Sequence, residues 1–205
     1  MTFLKHVCMA LALALFASSS VYAEGAAPAD PAITTISTFY AALTDTMKHG
    51  KELGPEGRFQ KLAPAIDAAF DTPLMIQFAV GPAWSGMSPA DQAALTAAFR
   101  RYMIADYAHN FASFNGEKFT IDPKVVVRGP DHIVQTTLTP AKGDPVSLNY
   151  RMRLAGDSWK IVDVFLAGYV SELSTRRSDY AATVAAGGAP ALTKKLNALS
   201  DNLLK

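Results

Sequence analysis

Val146-Ser147-Leu148-Asn149-Tyr150-Arg151-Met152-Arg153-Leu154 alternates without a fault. Val146, Leu148, Tyr150, Met152 and Leu154 fall on one side, and Ser147, Asn149, Arg151 and Arg153 on the other, which is the period of a half-buried strand. Gly156-Asp157 then turns the chain, and Trp159 to Leu166 follows with apolar residues on both faces, as in a strand covered on both sides. Upstream, His132 to Thr139 reads as a strand closed by the Lys142-Gly143-Asp144 turn. Phe119 to Val127 reads as another, closed by Gly129-Pro130-Asp131. Strands joined by turns this short must run antiparallel, so this region predicts a four-stranded antiparallel sheet.

Helices flank that sheet in sequence. Asp30-Pro31 supplies an N-cap and a first-turn proline, and Ile33, Ile36, Tyr40, Leu43 and Met47 recur on one helical face before Gly50 and Gly54-Pro55. A second helix is expected over about Glu56 to Ala69. A third runs from Thr72-Pro73 to Gly81-Pro82, with Asp71 as its cap. Ser88-Pro89-Ala90-Asp91 starts the fourth, whose face carries Leu95, Phe99, Tyr102, Met103, Asp106 and Phe111 and reaches about Phe114. After the sheet, Leu173 to Ala186 is helical until Gly187-Gly188, and Pro190 opens a last helix striped by Leu192, Leu196, Leu199 and Leu203. Helices, strands, then helices give one α+β domain, a curved sheet wrapped by helices.

The N-terminus addresses the compartment. Lys5 and His6 precede the apolar run Val7 to Phe16, and Val21 and Ala23 fit the small-residue pattern of a signal peptidase cut after Ala23. The run is about ten residues long, well short of the roughly 20 that a membrane-spanning helix needs. The expected organisation is therefore a signal peptide over 1–23, a short leader over 24–29 and a single domain over 30–205. Cys8, the one cysteine, lies inside the signal segment, so disulfides, thiolate metal sites and cysteine nucleophiles are excluded from the domain. Lys and Arg total 19 against 18 acidic residues. Without Lys5 they balance, and a neutral chain with no basic run argues against nucleic acid.

Catalytic and cofactor patterns are missing. His49, His109 and His132 stand in separate segments without metal-ligand spacing. Gly187-Gly188 starts no phosphate-binding loop, and Ser85-Gly86 lacks the flanks of a nucleophile elbow. Asp163 interrupts the apolar strand Trp159 to Leu166, and a buried carboxylate there must be paired or protonated. Arg151, Arg153, Arg176 and Arg177 are the expected partners. An isomerase-like enzyme is the rival in which Asp163 or Asp71 acts as a base. The many aromatic residues can line a cavity or fill an ordinary core, in which case the chain is a structural adaptor. Composition does not separate the two.

Several stretches in order resemble the MlaC family of lipid carriers. They are Phe70-Asp71-Thr72-Pro73-Leu74-Met75, Gly81-Pro82-Ala83-Trp84, Ser88-Pro89-Ala90-Asp91-Gln92 and Phe99 to Tyr107. Downstream come Asp157-Ser158-Trp159-Lys160-Ile161-Val162-Asp163-Val164, closing on Gly168-Tyr169-Val170-Ser171, and then Tyr180, Gly187 and Leu192 to Leu196. The similarity spans about Ile33 to Leu199. Phe165-Leu166-Ala167 before Gly168, and Leu173-Ser174-Thr175-Arg176-Arg177 after it, depart from the phospholipid carriers and resemble the hopanoid-associated HpnM branch.

The resemblance implies a fold like nuclear transport factor two, with an apolar pocket between sheet and helices. It implies a periplasmic carrier that is not an enzyme and needs no cofactor or metal. Its cargo would be a hopanoid, with a phospholipid as the alternative, passed between an inner-membrane lipid transporter and an outer-membrane acceptor. The expected lining is Phe70, Leu74, Phe78 and Trp84 around the third helix, and Phe99, Tyr102, Met103, Tyr107 and Phe111 on the fourth. From the sheet side it takes Val126, Leu138, Leu148, Tyr150, Met152, Val162, Val164, Leu166 and Tyr169. A carrier is required because each methylene exposed to water costs about 0.8 kcal/mol, on the order of 20 kcal/mol for a two-chain lipid.

Overall fold

The computed structural model describes residues 30–205. The expected signal peptide, cut after Ala23 and 24–29 leader lie outside the described residues. Five α-helices and seven strands follow in the order expected from the sequence. They are α1 (Pro31–Lys48), α2 (Gly50–Ala69), α3 (Thr72–Val80), a 3-10 turn (Gly81–Gly86) and α4 (Pro89–Asn110). The strands come next: β1 (Lys118–Ile121), β2 (Val126–Arg128), β3 (Asp131–Val134), β4 (Thr136–Thr139), β5 (Val146–Ala155), β6 (Ser158–Leu166) and β7 (Val170–Ser171). The chain ends in α5 (Glu172–Leu203).

The helix starts obey their caps. Asp30 accepts from the Ala32 N–H at 2.9 Å, Asp71 from Leu74 N–H at 3.0 Å, and Ser88 from Asp91 N–H at 3.1 Å while donating to the Asp91 carboxylate at 2.8 Å. α5 is two helices across a break, with Gly188 at φ 60° and ψ −154°, backbone that side-chain-bearing residues avoid. α2 begins earlier than the sequence suggests, with a break at Gly54.

The four expected strands become seven because two of them are broken and a short seventh, β7, follows them. All pairings are antiparallel: β5 carries β3 and β4 end to end along one edge and β6 along the other, while β1 pairs β4 and β2 pairs β3. Pro123 brings no N–H to the ladder between β1 and β2, and Gln135 interrupts the lane between β3 and β4. A register shift between Arg151 and Met152, where β6 has one residue extra, adds a bulge. These breaks bend the sheet, which stays open, with short β7 on its far edge.

The alternation of β5 holds over its middle, while Val146 and Leu154 near its ends are exposed. Leu148, Tyr150 and Met152 are buried against the helices, while Asn149, Arg151 and Arg153 are half exposed. The core joins them to Ile36, Phe39, Tyr40 and Leu43 of α1, Leu62 and Ile66 of α2, Met75 and Ile76 of α3, Leu95, Phe99, Met103 and Ile104 of α4, and Leu192 and Leu196 of α5.

Two backbone approaches lock the helical side. Arg58 is buried and donates to the carbonyls of Ala108 and Gly50, both at 2.8 Å, tying the end of α4 to the start of α2. A Cβ on Gly50 would lie 1.9 Å from the Ala112 carbonyl oxygen. Gly50→Ala is therefore expected to lower stability by about 1–3 kcal/mol, because backbone rather than a flexible side chain must move. A urea melt reads this as a lower midpoint at unchanged slope.

Candidate functional site

A cavity of about 210 Å³ lies between α4, the start of α5 and the sheet. Its apolar wall consists of Phe70, Met75, Met103, Tyr107, Phe111, Leu148, Tyr150, Val164 and Leu166. Sheet register explains the lower wall: Leu148 pairs with Leu166 and Tyr150 with Val164, so four apolar side chains meet on one face of β5 and β6. Met103, Tyr107 and Asn110 follow one another at three- and four-residue steps along α4, and Asp106 sits between them.

An aromatic cluster forms the closed side. Phe39, Phe70 and Tyr107 meet edge to face with ring centroids 5.2–5.6 Å apart, and Phe111 stacks on Tyr107 at 5.7 Å. Behind them, the Tyr40 and Tyr150 hydroxyls share a hydrogen bond at 3.1 Å. Thr136 lies 2.7 Å from the Tyr40 hydroxyl and donates to the Leu148 carbonyl. Burial pushes the Tyr107 and Tyr150 hydroxyls well above the usual phenol range, so both stay neutral at any physiological pH.

Polar groups gather on one part of the wall: Asp106, Asn110, Glu172 and Arg176. Asn110 donates to Asp106 at 3.0 Å. Glu172 is held above the ordinary carboxylate value chiefly by burial, against the pull of Arg176. Leu166 bridges wall and surface, lining the cavity while 39% exposed.

The sequence-expected lining divides. Phe70, Met103, Tyr107, Phe111, Leu148, Tyr150, Val164 and Leu166 are brought together around this cavity. Phe99, Met152 and Val162 are instead packed in the interior, Met152 at 0% exposure. The bulge pairs Met152 with Ile161, at the end of the sheet away from the Leu148–Leu166 pair. Tyr102 lies under the Arg176 guanidinium. Leu74 is half buried on α3, where its neighbour Met75 takes the wall position. Phe78 lines a separate polar crevice with Arg151, Arg153 and Arg177. Trp84, Val126 and Leu138 pack at the core's margin or are half buried outside the cavity, and Tyr169 is 79% exposed.

Asp163 is the second correction. It is 3% exposed, yet none of the four expected arginines pairs with it. Its Oδ1 accepts from the backbone N–H of Val164 at 2.9 Å and of Leu173 at 3.2 Å, and its Oδ2 accepts from the Ser171 hydroxyl at 2.7 Å. The carboxylate thus caps the start of α5. Arg153 is occupied elsewhere: it grips Asp131 with two hydrogen bonds, at 2.6 and 2.9 Å, directly across the β3–β5 ladder. These three hydrogen bonds hold Asp163 to the start of α5, and the carboxylate also borders the crevice lined by Phe78, Arg151, Arg153 and Arg177.

Sequence reasoning missed Met75, Asp106, Asn110, Glu172 and Arg176 as wall residues. One signal was readable. Asp106 falls on the apolar face of α4, where an acid is unexpected unless it faces a site.

The sequence model of the MlaC protein family matches residues 37–198, most of the chain. The chain belongs to the MlaC family. Among solved structures, this MlaC-family chain is similar to a phospholipid-binding protein from Ralstonia solanacearum in complex with a phospholipid. The two are 25% identical, the match covers 85% of this chain and 99% of that one, and the TM-score is 0.69. Near-complete coverage of the similar chain means that the helices and the sheet belong to the shared part of the fold.

Proposed function

We propose that this MlaC-family protein is a periplasmic lipid carrier that encloses the acyl chains of a phospholipid in the cavity between α4, α5 and the sheet. The single observation that carries this reading is the cavity itself, an apolar wall on β5 and β6 ending in a small polar cluster, the layout suited to an amphiphile. Phospholipid is a better-supported cargo than the hopanoid suggested by the sequence departures. The similar Ralstonia protein holds a phospholipid, and the wall carries a polar cluster suited to the polar end of an amphiphile.

At about 210 Å³ the cavity is smaller than the roughly 300–1,000 Å³ usual for ligand sites, so a loaded form must widen it. With no nucleotide site in the sequence to drive release, loading and unloading rest on contacts with membrane partners that favour the wider form. An inner-membrane transporter and an outer-membrane acceptor are the partners that a carrier between two bilayers requires.

Leu166→Glu tests the wall. Leu166 is partly exposed, so its carboxylate reaches water and the fold survives, while an acyl chain entering past it loses apolar contact and meets a charge. Circular dichroism should stay native-like, and lipid captured from phosphatidylglycerol vesicles should fall at least about tenfold, the equivalent of about 1.4 kcal/mol. Undiminished capture by the folded variant would place the lipid elsewhere.

A further inference from the structure

Arg176 is anchored in the first turns of α5 and lines the cavity, its side chain only 16% exposed. The guanidinium rests 5.1 Å above the Tyr102 ring. Its contacts with the two acids beside it are long: Nη2 stands 3.4 Å from Glu172 Oε2 and 3.7 Å from Asp106 Oδ2. A charge-assisted hydrogen bond measures about 2.7–2.9 Å, so neither acid engages Arg176 fully.

Arg58 and Arg153 behave differently. Arg58, also buried, donates to two carbonyls at 2.8 Å each, and Arg153 grips Asp131 at 2.6 and 2.9 Å. One turn beyond Arg176, the buried Tyr180 hydroxyl has no hydrogen-bond partner among the described residues. A cation whose contacts with both neighbouring acids are long thus stands in the polar part of the cavity wall, at a desolvation cost that Glu172 and the Tyr102 and Tyr180 side chains around it work against.

We propose that Arg176 is the oxyanion ligand of the cavity and holds the phosphate of the bound lipid. This rests on the reading of the cavity as a phospholipid site and assigns the residue that recognises the phosphate. The planar guanidinium presents paired N–H donors that match two phosphate oxygens, a geometry that an ammonium cannot reproduce. Asp106 and Glu172 flank the guanidinium and keep it turned toward the cavity. Two acids beside an incoming anion would oppose it if both kept their charge. Burial holds Glu172 above the ordinary carboxylate value, the direction that lowers the cost of neutralising it beside an incoming anion. The acyl chains then extend over Leu148, Tyr150 and Val164.

The test is competition between phosphatidylglycerol and diacylglycerol of the same chains, mixed equally in vesicles, with native mass spectrometry reading what the protein captures. The wild type should take phosphatidylglycerol at least tenfold over diacylglycerol. Arg176→Met should lose that preference while still capturing diacylglycerol, which also certifies its fold, and Arg176→Lys should keep a reduced preference. Wild type that takes both lipids equally, or Arg176→Met that keeps the preference, would overturn the role of Arg176 and leave the carrier reading standing. Failure of the wild type to capture either lipid would overturn both. Inorganic phosphate titrated into the delipidated protein should bind weakly or not at all. Saturable, Arg176-dependent binding of the free ion that leaves lipid choice unchanged would assign the guanidinium to phosphate in solution and overturn the lipid role.

Discussion

Met152→Glu should unfold the protein. Met152 is fully buried on the core face of β5, opposite Ile161, and is absent from the cavity wall. A carboxylate there has no water and no cation within the packed core, so it must either remain charged and unpaired or fold in its protonated form. Either route costs several kcal/mol, about 5 kcal/mol with the lost packing, against a total stability of roughly 5–15 kcal/mol for a domain. The sequence puts Met152 in the expected lining beside Tyr150, because alternation places both on one face, and a charge on a cavity wall would block lipid while sparing the fold. The two do share that face, but the bulge separates a wall position from a core position two residues on. Loss of native circular dichroism is the expected result. A folded Met152→Glu protein deficient only in lipid would return Met152 to the wall.

Asp163→Ala carries the next largest effect. Removal of the carboxylate strands the N–H groups of Val164 and Leu173 and the Ser171 hydroxyl at a buried site. At about 1–3 kcal/mol for each buried group left unpaired, partly relieved by entering water, the loss should be about 3 kcal/mol. For a domain of this size that is a fall in Tm of about 6–12 °C. Asp163→Asn keeps one acceptor oxygen and should recover part of the loss. In neither variant should lipid capture by the folded fraction disappear. An unchanged Tm together with complete loss of a turnover activity on a polyprenyl or sterol-like substrate would instead make Asp163 a catalytic base and favour the isomerase reading.

Much of the fold was legible because local chemistry and global structure agree. Asp30-Pro31, Asp71-Thr72-Pro73 and Ser88-Pro89-Ala90-Asp91 each begin a helix through the side-chain caps that their residue types imply. Gly187-Gly188 divides α5 where the pattern of apolar residues restarts. Strand count was less legible. Pro123 and Gln135 sit within stretches whose apolar content reads as continuous strand, and their effect on the ladder depends on which edge they occupy.

The cavity was legible only by half, for a physical reason. Periodicity reports which face of an element is apolar, but core and wall are both apolar faces. Tyr150 and Met152, or Phe99 and Met103, are separated only by how β5, β6 and α4 are placed against one another. The polar part of the wall was harder still. Glu172 and Arg176 follow the sheet in an unpatterned stretch, and they reach the cavity because Asp163 fixes where α5 begins.

The central claim, that this cavity carries a phospholipid, is tested most directly by native mass spectrometry of protein gently purified from cells. The account predicts a complex of one chain with one phospholipid, exchangeable for phosphatidylglycerol supplied in vesicles. Protein that emerges without lipid, and takes up none from vesicles while fully folded, would contradict it.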